Sequence, residues 1–130
     1  MKKNISSRDA GRMLARVPAN TSFWLCTNEY LRNLDELAKS LHEVNDEIFR
    51  YHVNRDKNDF EVWIRDVISD KELAREISRI KTRETLVRKI SERVDELRKI
   101  VRAARKKAER NSRKAVRKKA KPVKHAKKRR

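Results

Sequence analysis

The chain has 130 residues, with 37 Lys or Arg against 19 Asp or Glu, for a net charge of +18. That length holds one domain plus extensions, and a single cysteine, Cys26, excludes an internal disulfide framework or a cysteine-rich metal site. No apolar run reaches the ~18 residues of a membrane span and the N-terminus lacks the apolar stretch of a signal peptide, so a soluble, cytoplasmic protein is expected.

The charge is unevenly placed. Residues 1–30 carry five bases and two acids, and residues 31–101 carry 16 of each. Nearly the whole surplus therefore lies beyond Val101, where the composition changes sharply. The chain divides into a basic N-terminal arm (1–21), a helical domain (22–101) and a Lys/Arg-rich tail (102–130). Lys2, Lys3, Arg8, Arg12 and Arg16 supply the arm's cations.

Punctuation is sparse. The one glycine is Gly11 and the prolines are Pro18 and Pro122, leaving 103 intervening residues without a strong breaker. Strands joined by tight turns are not expected there; helices are. The fold class is accordingly all-α: a compact bundle of short helices followed by one long basic helix. The exception is "SFWLC", residues 22–26, an apolar run short enough to be an extended segment packed on the helices.

The helices follow in order. In "NLDELAKSLHEV" the residues Leu34, Leu37, Leu41 and Val44 share a face, with Asn33 and Glu36 at capping-box spacing. "NDEIFRYHVN" places Ile48 and His52 inward, with Phe49 and Val53 beside them. "NDFEVWIRDVI" has Phe60, Trp63, Ile64 and Val67 on one stripe, capped by Asn58 and Glu61. "SDKELAREISRI" repeats the device, with Ser69 and Glu72 as caps and Leu73, Ile77 and Ile80 facing in.

A fifth predicted helix differs in kind. It runs from Arg83 to about Ala120, a rod on the order of 55 Å, with Thr82 as N-cap. Val87, Val94 and Val101 occupy one heptad position, and Ile90, Leu97 and Ala104 another. That pattern suits a two-stranded coiled coil, so Val87, Ile90, Val94, Leu97 and Val101 form a candidate homodimer seam. The alternative is that the same stripe covers the domain's own core.

Beyond Ala104 the helix has no apolar face to bury. Residues 102–130 hold 16 Lys or Arg and one acid, Glu109. Such crowding is self-repulsive unless a polyanion neutralises it, and Ala, Lys and Arg order readily as helix once phosphates do so. The residues expected to contact phosphate are Arg102, Arg105, Lys106, Lys107, Arg110, Arg113, Lys114, Arg117, Lys118 and Lys119. Lys121, Lys124, Lys127, Lys128, Arg129 and Arg130 follow as a looser end past Pro122. The tail has no aromatic residue to stack on bases, so binding indifferent to sequence is expected.

"RKAVRKKAKPVKHAKK", residues 113–128, is similar in composition to the tails of linker histones and basic bacterial nucleoid proteins. The resemblance implies a nucleic-acid partner. Residues 23–80 resemble an uncharacterised small helical domain family widespread in archaea. That likeness rests on Phe23, on "LDELAKSL", on "YHVN" at 51–54 and on "NDFEVWIRDVI" at 58–68. It implies a fold and an archaeal or related source, but no activity, and the basic extension falls outside the pattern.

An enzyme is not expected. His52 lies near Asn54, Asp56 and Asp59, a setting for a general base, but no nucleophile or phosphate-binding loop accompanies it, and it falls on the inward face as a structural histidine would. His42, His52 and His125 lack metal-ligand spacing, and no cofactor is implied. Trp24 and Trp63 are expected in the core. The sequence thus favours a nucleoid-associated, architectural DNA-binding protein. The alternatives are an RNA-binding or ribosome-associated factor, with duplex DNA favoured over structured RNA, and a protein-interaction module with a basic docking tail.

Overall fold

A computed structural model describes residues 5–128, and the side chains of residues 5–116. Six α-helices are found among them: α1 (Ser7–Leu14), α2 (Leu34–Glu43), α3 (Asp46–His52), α4 (Asp59–Trp63), α5 (Lys71–Ile77) and α6 (Arg83–Lys128). Between α1 and α2 lie a 3-10 turn and two strands, β1 (Phe23–Leu25) and β2 (Glu29–Leu31). The molecule is mostly helical, not strictly all-α.

The strands form an antiparallel hairpin, pairing Phe23 with Leu31, Trp24 with Tyr30 and Leu25 with Glu29. The extended run at 22–26 was legible; its partner and the tight turn were not. A turn of three residues normally calls for glycine at a left-handed position. Here Asn28 takes that role with φ 69°, and its amide donates to the Leu25 carbonyl at 2.8 Å. Asparagine tolerates this region where most side chains do not.

Short helices start because a side chain accepts from an otherwise unpaired amide of the first turn. Ser6, Asn33, Asn45 and Asn58 do so for α1 to α4. For α5 the cap is Asp70, which accepts from the Leu73 amide at 3.1 Å, and not Ser69. Ser69 is left-handed at φ 68° because α4 ends in a π turn, Ile64–Ile68, that must be closed before α5 begins. The wider turn also rotates the apolar stripe: Ile68 is buried, and Val67, expected inward, is only half-buried.

The first half of α6 is the spine against which α1, α2 and α5 pack. Leu86, Ile90, Val94 and Leu97 are buried in the chain's own core. Three of the five candidate seam residues, Ile90, Val94 and Leu97, are thereby occupied within the monomer, and Val87 and Val101 are half-buried. One stripe cannot cover the core and a second copy at once. The segment expected as a basic arm also contributes to the body, since α1 lies on α6 with Ala10 fully buried.

A second region of the core is aromatic. Phe23 and Phe60 stack at 4.9 Å, with Trp63 edge-on to Phe23, and the Trp63 indole donates to the Thr21 carbonyl at 2.9 Å. An ion pair is also buried. The Arg93 guanidinium donates to both Asp70 oxygens, at 2.7 and 2.8 Å, and to Glu96 at 2.7 Å. Burial works against the Arg93 charge, but the hydrogen bonds from Asp70 and Glu96 and their negative charges outweigh it, so its pKa lies above the usual arginine value.

Beyond Val101, α6 continues as helix to Lys128, past the end expected at Ala120 and through Pro122. The backbone is helical there although proline lacks the amide donor and its ring crowds the carbonyl four residues earlier. Among the described residues, no helix is long and apolar enough to cross a membrane.

Candidate nucleic-acid interface

From Arg102 to Val116 every residue of α6 is exposed except Ala104, which is half-buried. Among the described side chains no fully buried core residue lies beyond Leu97, so this exposed stretch is held chiefly by its own helical hydrogen bonds. The expected phosphate-binding residues Arg102, Arg105, Lys106, Lys107, Arg110, Arg113 and Lys114 are all exposed, and none is in an ion pair among the described residues. At ~100° per residue they sweep an arc of about 200° around the axis. Ala104, Ala108, Asn111 and Ala115 fall on the opposite side. Arg117, Lys118, Lys119, Lys121, Lys124, Lys127 and Lys128 have side chains outside the described residues, and Arg129, Arg130, Lys2 and Lys3 lie wholly outside them.

The arm's cations are differently placed. Arg12 pairs with Asp9 at 2.8 Å and Arg16 with Glu36 at 3.4 Å, while Arg8 is exposed. Arg8 and Arg12 stand one turn apart on α1, and a carboxylate is at hand for Arg12 and for Arg16. Their charges are partly matched within the fold.

His52 is buried at 2% exposure, as its inward position required. Its Nδ1 lies 2.9 Å from Asp59 Oδ2, and its Nε2 accepts from the Cys26 amide at 3.2 Å. A ring that donates through one nitrogen and accepts through the other is a neutral tautomer with both sites used. His52 therefore ties the hairpin turn to α3. Among the described residues, no three His, Cys, Asp or Glu side chains gather as a metal site.

One group of surface residues escaped sequence reasoning. Trp24, expected in the core, is 41% exposed, and Tyr30 and Tyr51 are 66% and 52% exposed. The alternation in β1, with Phe23 and Leu25 buried, was the available signal: a strand that buries one face turns Trp24 outward. Comparison with protein-family models, curated proteins and solved structures finds no match.

Proposed function

We propose that the protein is a sequence-nonspecific DNA-binding, nucleoid-associated architectural protein that grips the phosphate backbone through the C-terminal part of α6, and that it is not an enzyme. The observation that carries this reading is the row of exposed, unmatched cations from Arg102 to Lys114 on a helix with nothing apolar to bury. Cations covering more than half of a helix's circumference suit a groove with phosphates on both sides, because a flat anionic surface reaches only one side. Interfacial membrane helices also need a broad apolar face, and past Val101 the sequence holds only two large aliphatic residues, Val116 and Val123. The head anchors and projects the rod.

Backbone binding releases condensed counterions, so log K should fall linearly with log salt, with a slope of roughly −7 for ~8 neutralised phosphates on duplex DNA. A salt-titrated gel shift on the full chain, with duplex DNA and structured RNA in competition, tests this. Changing Arg105, Lys106, Arg110 and Arg113 to Gln should flatten the slope by about one for each phosphate left without its cation. An unchanged slope, or no binding to either nucleic acid at moderate salt, overturns the reading.

A further inference from the structure

The chain has seven aromatic residues, and the fold divides them cleanly. Phe23, Phe49, Phe60 and Trp63 are buried; Trp24, Tyr30 and Tyr51 are exposed, and they occupy one face. Trp24 and Tyr30 are direct cross-strand partners, which places their side chains on the same side of the hairpin. The Tyr51 ring meets Trp24 edge-on at 6.2 Å, and the Lys57 ammonium sits 5.0 Å from the Tyr51 centroid. The face is also preorganised. Trp24 is held by an indole hydrogen bond to Asn28 at 3.4 Å, and His52, clamped from both nitrogens, underlies both rings at 6.3 and 5.0 Å.

We infer that this hairpin face is a stacking platform for unpaired nucleobases, and so the site at which the head touches the nucleic acid that the tail holds. The inference rests on the nucleic-acid reading above and deepens it. Size argues for small planar occupants. At ~150–250 Å² per aromatic side chain, the open fractions amount to roughly 300 Å², far short of the ~800 Å² per partner of a stable protein interface. Chemistry agrees, since every base has a π-face that aromatic rings accept irrespective of sequence. The surrounding charges are balanced: Lys57 pairs with Asp59 at 3.0 Å, Arg50 with Asp46 at 3.9 Å, and exposed Arg55 is followed directly by exposed Asp56. Few counterions are released here, so stacking at this face is nearly independent of salt, unlike binding by the tail.

Platform and tail are also apart. Lys81, just before α6, donates to the Asn54 carbonyl in the loop that carries Arg55 and Lys57, so the platform lies near the start of α6. The tail begins about 28 Å further along that helix. The two binding regions can therefore be separated by experiment.

The test uses the full chain with oligothymidylate and a duplex of equal length, reading tryptophan fluorescence and affinity at low and high salt. Expected is quenching by the single strand that persists at high salt, while duplex binding is lost. Tyr30→Ala and Tyr51→Ala should each weaken single-strand binding about ten-fold and leave duplex binding unchanged, and Tyr→Phe at either position should restore it. Single-strand binding unaffected by both alanine variants, or quenching that vanishes with salt in step with the duplex, overturns the inference. So does self-association in sedimentation that Tyr30→Ala abolishes, which would make the face an interface between copies. Absence of duplex binding by the unaltered chain even at low salt would instead count against the tail reading alone.

Discussion

Arg93 is where a single side chain matters most. It lies at 4% exposure with Asp70 at 0%, and the two are joined by paired hydrogen bonds. Removing one member strands the other charge in the interior, which typically costs about 3–5 kcal/mol. Arg93→Met should lose about that much in urea unfolding followed by Trp63 fluorescence. Asp70→Asn added to it should recover more than half, because asparagine keeps the α5 cap and removes the stranded charge. A single-variant loss below about 1 kcal/mol would mean that water reaches Asp70 and that the pair is not sealed. His52 is the gentler case: its two hydrogen bonds join Asp59 to the Cys26 amide across the hairpin base.

The hairpin is the element on which the surface face depends. Its turn needs a residue at φ 69°, which Asn28 supplies while also accepting from the Trp24 indole. Asn28→Gly keeps the backbone and loses only that long hydrogen bond, so its melting temperature should stay near that of the parent. Asn28→Val forces a β-branched side chain into the left-handed region, a strain of about 1–3 kcal/mol. It should lower the melting temperature by several degrees and blue- or red-shift Trp24 emission. Equal behaviour of the two variants would show that the turn relaxes. The helices were largely legible before the structure because their caps are local: Asn33 and Asn58 each accept from the amide three residues on, as their spacing with Glu36 and Glu61 indicated. Ser69 misled because the π turn before it shifts the start of α5 by one residue.

For the whole molecule, the core lies along the first half of α6 and the proposed phosphate contacts along the second. Among the described side chains every fully buried core residue lies at or before Leu97, so a chain ended after Val101 should keep its unfolding free energy within ~0.5 kcal/mol of the full chain while losing its salt-dependent duplex binding. A large fall in stability would mean that the tail folds back on the head. The inward burial of Ile90, Val94 and Leu97 further predicts a monomer in sedimentation without nucleic acid, at concentrations where a coiled-coil dimer would assemble. A concentration-dependent dimer would require α6 to use a face other than its buried stripe.

The amino-acid order by itself determined the charge segregation at Val101, the long uninterrupted α6, the capped short helices and most of their inward faces. Each of these is a matter of neighbours a few residues apart, whose effects add along the chain. Only the tertiary structure decided that Arg93 meets Asp70 across 23 positions, that the α6 stripe is spent within the monomer, and that Trp24 faces water beside Tyr30 and Tyr51. Burial and charge pairing depend on what the chain brings alongside from far away, and spacing in the sequence carries no record of that distance.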